Sequence, residues 1–166
     1  NTPGSITIAD GQNRRIKTSD DKELILEKST DNKKITYEGY QFANATAPTT
    51  VTEGGVTSTW GGRSKAGNTT TENTITVASG THTNIYGGWT TGSGSTAAAD
   101  KQKNSTANKV KVNGSANVTG TVYGGYTDAA GGKAWGNTVT IESAVHDVVG
   151  GEGAGEASGN TVDIRA

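Results

Sequence analysis

A five-residue segment alternating polar and β-branched residues recurs along the chain, with a glycine pair between each copy and the next. The clear copies are Asn73-Thr74-Ile75-Thr76-Val77, Asn108-Lys109-Val110-Lys111-Val112, Asn137-Thr138-Val139-Thr140-Ile141 and Asn160-Thr161-Val162-Asp163-Ile164, with a weaker one at Thr49-Thr50-Val51-Thr52. Such alternation is the mark of a strand with one buried face. The intervening elements are Trp60-Gly61-Gly62-Arg63, Ile85-Tyr86-Gly87-Gly88-Trp89, Val122-Tyr123-Gly124-Gly125-Tyr126 and Val148-Val149-Gly150-Gly151-Glu152. Each unit therefore holds at least two short strands.

The units start at 49, 73, 108, 137 and 160, so by subtraction they are 24, 35, 29 and 23 residues long. Most of the variation falls between the second glycine and the next strand, a gap of 11, 20, 12 and 9 residues. Repeat proteins place their insertions in this way, on one edge. One such unit cannot bury its few apolar side chains alone. Stacking like units puts Ile75, Val110, Val139 and Val162 in one interior column and Val77, Val112, Ile141 and Ile164 in another. The expected fold is all-β, a parallel β-helix or β-solenoid, with adjacent strands about 4.8 Å apart. The glycine pairs are expected at corners, where the backbone needs positive φ or a side chain has no room.

Composition supports a thin repetitive core. Only 30% of the 166 residues are apolar, against roughly 45–50%, glycine included, in ordinary globular domains. The 15 basic and 16 acidic residues leave a net charge of −1, which argues against disorder and gives no basis for a nucleic-acid partner. With 25 glycines but 2 prolines, neither collagen nor a proline-rich linker fits. The absence of cysteine excludes a disulfide framework. A start at Asn1-Thr2-Pro3 without methionine is expected of a processed or excised fragment, and the halt at Ile164-Arg165-Ala166 of a longer array.

Residues 1–48 do not follow the repeat. They are rich in charge yet alternate at Ser5–Ile8, Glu23–Leu26 and Lys34–Tyr37, and are expected to form irregular coils or a cap. The repeats proper are assigned to 49–166.

The run from Val122 to Ile141, with V-Y-G-G-Y, a small-residue loop and G-N-T-V-T-I, resembles the passenger repeats of Gram-negative autotransporter adhesins. That resemblance covers roughly 49–166. It implies a β-helix displayed at the bacterial cell surface or outside the cell, and exported through an outer-membrane barrel absent from this chain. The partner it implies is a protein or glycan of a host cell or of a neighbouring bacterium. The unlike first 48 residues and the lysines at 109 and 111 depart from the pattern.

Aligned on the glycine pairs, Trp60, Tyr86, Tyr123 and Val149 form one column, and Arg63, Trp89, Tyr126 and Glu152 another. The aromatic members are the candidate ligand-binding residues, since amphipathic rings suit sugar or protein recognition. The same ladder would equally serve to hold coils together. The loop Thr90–Ala107, the longest insertion, is a second candidate surface.

Other motifs fit less well. Gly150–Gly155 resembles a calcium-binding nonapeptide but has glycine where a ligand aspartate is needed. The threonine pairs at 74/76 and 138/140 suggest a flat T-x-T ice-binding face, interrupted by Lys109, Lys111 and Asp163. His82 and His146 lie two coils apart, and most acids of the repeats, among them Asp147 and Glu152, fall at loop positions that do not align. The expectation is therefore a structural and adhesive element without catalytic residues, metal or cofactor. The alternative is a carbohydrate-active or carbohydrate-binding β-helix of a phage or secreted protein, which two carboxylates about 5–10 Å apart would favour.

Overall fold

The computed structural model describes residues 13–17, 23–27, 39–65, 67–92 and 99–166. Apart from a single 3-10 turn at Ala99–Lys101, the elements among them are β-strands.

The N-terminal strands are antiparallel. β1 (Asn13–Lys17), β2 (Glu23–Glu27) and β3 (Gly39–Gln41) form one sheet in that order. β2 coincides with the alternation expected at Glu23–Leu26, whereas those at Ser5–Ile8 and Lys34–Tyr37 lie outside the described residues. β4 (Thr49–Glu53) and β5 (Val56–Ser64) make a hairpin, Thr49 opposite Trp60 and Glu53 opposite Val56. Its turn is Gly54-Gly55, with φ of 57° and 81°, the backbone that two-residue hairpins require. This turn folds Thr49–Glu53 back on β5, so the weaker copy at 49 does not join the sheet of its supposed counterparts.

From residue 67 onward every inter-repeat strand pair is parallel. The first repeat supplies β6 (Thr70–Thr71), β7 (Thr74–Val77), β8 (Thr81–His82) and β9 (Asn84–Thr90). The second supplies β10 (Ser105–Thr106), β11 (Lys109–Val112) and the long β12 (Asn117–Thr127). The third supplies β13 (Lys133–Trp135), β14 (Thr138–Ile141), β15 (Val145–Val149) and β16 (Glu152–Gly153), and the last β17 (Glu156–Ser158) and β18 (Thr161–Ile164). Like strands lie side by side in three sheets, ordered β6-β10-β13-β17, β7-β11-β14-β18 and β5-β9-β12-β15. The first of these was not expected. Its strands of two or three residues are too short to show a period.

Register in the second sheet is that of the expected columns. Val110 faces Ile75 and Val139, Val112 faces Val77 and Ile141, and β18 continues both with Val162 and Ile164. With Ile85, Val118 and Val122 from the third sheet, the column residues of β7, β11 and β14 form one buried apolar cluster, whereas Val162 and Ile164 of the last strand are exposed. Burying such a side chain stabilises by about 1.5–3 kcal/mol, so a narrow column of them sustains a chain this poor in apolar residues.

Three of the four glycine pairs are not at corners, while Gly150-Gly151 lies between β15 and β16. Gly61-Gly62, Gly87-Gly88 and Gly124-Gly125 lie inside β5, β9 and β12, and none of them has positive φ. Space is the reason. A Cβ on Gly61 would sit 2.7 Å from the carbonyl oxygen of Gly87 and 3.0 Å from Cβ of Asn73. The second glycine of each pair, Gly62, Gly88, Gly125 and Gly151, lies directly against the side-chain amide of Asn73, Asn108, Asn137 and Asn160 respectively.

Those asparagines form a continuous ladder. Nδ2 of Asn73, Asn108 and Asn137 donates to Oδ1 of the next asparagine at 2.7, 2.9 and 2.9 Å. The same nitrogens, and that of Asn160, also donate to the backbone carbonyls of Phe42, Thr70, Ser105 and Ala134 at 3.0–3.2 Å. Each Oδ1 additionally accepts a backbone N–H, from Ala45, Asn73, Asn108 and Asn137 in turn. Asn73, Asn108 and Asn137 are completely buried, a state polar groups tolerate when hydrogen-bonded. The sequence pattern placed an asparagine before each strand and assigned it no role.

Candidate functional site

The two aromatic columns are in the expected register. Tyr86 pairs with Trp60 on one side and Tyr123 on the other, and Trp89 with Arg63 and Tyr126. Val149 and Glu152 follow on β15 and β16. Because the intervening glycines carry no side chain, the residues flanking each pair lean together over them. Tyr86 stacks on Trp89 at 4.3 Å and on Tyr123 at 5.0 Å, with planes within 13° and 4° of parallel. Trp89 makes an edge contact with Trp60 at 5.8 Å, and Tyr126 with both Tyr123 and Tyr86 at 5.2 and 5.8 Å. The guanidinium of Arg63 lies 3.8 Å over the Trp89 ring.

Trp89 leans on residues of the preceding strand, whereas Tyr123 belongs to the following one. Tyr86 is therefore sandwiched. Arg63 and Tyr86 likewise occupy Trp89, and a buried Arg63 is held further by the carbonyls of Ser64 and Trp89 and the hydroxyl of Thr91. Trp60 and Tyr86 are only 8 and 7% exposed. The faces a sugar ring would stack on are thus taken up at Tyr86 by two rings and at Trp89 by a ring and a guanidinium, and aromatic pairs of this kind contribute roughly 0.5–1.5 kcal/mol each beyond their burial. The half-exposed rims of Trp89, Tyr123 and Tyr126 remain at the surface.

Electrostatics follow from that packing. Burial pushes the Tyr86 hydroxyl up to about 12, with the neighbouring Tyr123 and Tyr126 hydroxyls adding to the shift and Arg63 opposing it. Tyr126 is also raised, by burial first and then by the carboxylates of Asp128 and Glu152. An unfolded tyrosine ionises near 10. Between about pH 10 and 12 the unfolded chain releases a proton that folded Tyr86 keeps, so stability falls with rising pH across that window and is insensitive to this group below it. Denaturant melts at stepped pH should show this fall, and Tyr86→Phe should make it shallower.

The remaining candidates are dispersed. His82 is buried, with Nε2 2.9 Å from the carbonyl of Ser79 and Nδ1 2.7 Å from Thr59 Oγ1. A carbonyl only accepts, so Nε2 carries the proton and the ring ties β8 to the hairpin through Thr59 and Thr50. His146 is exposed and pairs with Asp147 at 3.0 Å. Asp147 and Glu152 stand opposite Thr121 and Tyr126 of one strand, which puts their backbones roughly 16 Å apart at the usual rise per residue. Glu142 pairs with Lys111 at 2.8 Å and Arg165 at 3.7 Å, and Glu156 with Lys133 at 2.8 Å.

The outward columns of the second sheet read Thr74-Lys109-Thr138-Thr161 and Thr76-Lys111-Thr140-Asp163, so the threonine face is broken by charge as the sequence indicated. Of the nonapeptide-like segment, Gly153 lies against the backbone of Glu156, Ala134 and Gly132, and Gly155 against that of Gly131 and Gly132, a packing reason for both glycines. The core of the long insertion, residues 93–98, lies outside the described residues. Its return is tied down, since Lys103 N–H donates to Gly67 at 2.6 Å and the Lys103 carbonyl accepts from Thr127 Oγ1 at 2.6 Å. Beneath it, Thr70, Thr90 and Ser105 form a buried hydroxyl network that reaches Asn108.

Comparison with protein-family models, with curated proteins and with solved structures gave no match.

Proposed function

We propose that this chain is a stretch of parallel β-solenoid, one coil per repeat, serving as a structural and adhesive passenger segment of a Gram-negative surface protein. The barrel that would export it belongs to other parts of such a protein. The observation that carries this reading is the repeated pairing: each repeat adds a strand to each of the three sheets, or ends at the open edge, and each asparagine bonds the next, with one register shift between Val118 and Thr121 of β12. A scaffold of this kind gains length by adding identical layers and presents side chains in fixed rows along its flanks.

Adhesion is assigned to the flank beside the glycine pairs, where Trp89, Tyr123 and Tyr126 present their rims next to Asp128 and Glu152. Large flat side chains held by their neighbours lose little entropy on contact. The test uses beads coated with the chain, presented to epithelial cells, to Gram-negative cells and to a glycan array. Retention on at least one of these surfaces is expected, with the Tyr123→Ala/Tyr126→Ala variant losing about tenfold or more. Wild-type beads that bind nothing above uncoated ones would contradict the adhesive part of the reading.

A further inference from the structure

The layer that carries β18 differs from the layers before it. Val162 and Ile164 are 42 and 63% exposed, whereas their counterparts Val110, Val112, Val139 and Ile141 lie between 0 and 2%. Asn73, Asn108 and Asn137 each direct a backbone N–H and an amide proton to the Oδ1 of the next asparagine. Asn160 accepts the matching pair from Asn137, but as a donor it keeps only the amide bond back to the Ala134 carbonyl. Its backbone N–H and second amide proton, which point along the stack, meet no acceptor among the described residues. Thr161 and Arg165 donate backward to Asn137 and Ile141, so by strand alternation the amides of Val162 and Ile164 face the open side.

The opposite end is finished differently. Ala45, with no side-chain amide, holds the first ladder position, its N–H bonded to Asn73 Oδ1 at 3.0 Å. The hairpin strand β4 lies antiparallel along the outer edge of β5. The stack is thus polar, with one closed end and one that offers donors, strand edge and apolar columns together.

We infer that the β18 end is a strand-accepting site whose occupant is one further repeat of the same pattern, entering in parallel with asparagine at the ladder position and β-branched residues two and four places on. This rests on the one-coil-per-repeat reading above. The Oδ1 of the incoming asparagine supplies the acceptor that both free donors of Asn160 lack, and its β-branched residues cover Val162 and Ile164. A second copy docking antiparallel through the same edge would not do so, because reversing strand direction removes the alignment of like residues on which the ladder depends.

The test lengthens the full chain by a second copy of residues 144–166 joined after Ala166, which restores the 23-residue spacing between Asn137 and Asn160. Amide hydrogen exchange is then compared with that of the original chain. Exchange at Asn160, Val162 and Ile164 should slow by about a hundredfold. With Asn160→Leu made only in the appended copy, most of that gain at Asn160 should vanish. Unchanged rates in the lengthened chain would overturn the inference, as would equal protection from the leucine version. So would protection in the original chain that rises with its concentration, since the occupant would then be a second copy. Slow exchange at Lys109–Val112 in both chains reports the stack itself, which separates failure of the end from failure of the underlying reading.

Discussion

Gly87→Ala is expected to be among the most damaging single changes available to this chain, lowering stability by at least about 3 kcal/mol. The added methyl would fall well inside van der Waals contact with the carbonyl oxygen of Gly124, 2.8 Å from Val110 Cγ2 and 3.0 Å from Asn108 Cβ. Ordinary overpacking costs about 1–3 kcal/mol because flexible side chains give way. Here the obstructions are a backbone carbonyl, a core valine and a rung of the asparagine ladder. Relief requires neighbouring coils to move apart. Gly131→Ala is the control: its φ is 75° but nothing lies within 4 Å of the new atom, so only the left-handed backbone is penalised, by about 1–2 kcal/mol. Denaturant unfolding of the two variants measures the difference, and equal losses would mean that the glycine pairs do not serve close approach.

Asn108→Ala should destabilise by about 3–5 kcal/mol, because one side chain satisfies groups in three successive repeats. Its removal strips acceptors from the backbone and amide of Asn73, and donors from Asn137 Oδ1, the Thr70 carbonyl and Ser105 Oγ. Each buried group left unpaired costs about 1–3 kcal/mol, and some recover through relaxation or an added water. Asn160→Ala removes the same kind of rung at the open end, where the residue is only half-buried, and should cost roughly 1–2 kcal/mol. The gradient from centre to end is the diagnostic result. Similar small losses at both positions would reduce the ladder to incidental contacts.

Legibility in the sequence followed the strength of the local period. The alternation in Thr74–Val77 and its copies was long enough to show which residues turn inward, and like residues fell opposite one another as spacing implied. The aromatic columns were legible for the same reason, through their fixed offset from the glycines. Burial of Trp60 and Tyr86 was not legible. It arises because the rings fold over the glycines onto one another, a contact between strands that a single strand does not encode. Thr70–Thr71 and Ser105–Thr106 are too short for any period. Asparagine, which ordinarily marks turns, gave no local sign that its amide would be buried and bonded between layers. At Thr49–Glu53 the alternation was real, but the adjacent Gly54-Gly55 turn outweighed it.

The most direct test of the account, one coil per repeat with like residues in register, is disulfide cross-linking, which this chain suits because it has no native cysteine. Lys109 and Thr138 are opposed on adjacent parallel strands and on the outer face, within the Cα separation of about 4.4–6.8 Å that a disulfide needs. Thr74 and Thr138 occupy the same column two layers apart, roughly 9.6 Å at the spacing of neighbouring strands. Under mild oxidation, Lys109→Cys/Thr138→Cys should close an intramolecular disulfide nearly completely, and Thr74→Cys/Thr138→Cys should stay reduced, as read by mass and thiol titration. Failure of the first pair to close, or equal closure of both, would contradict the stacked register.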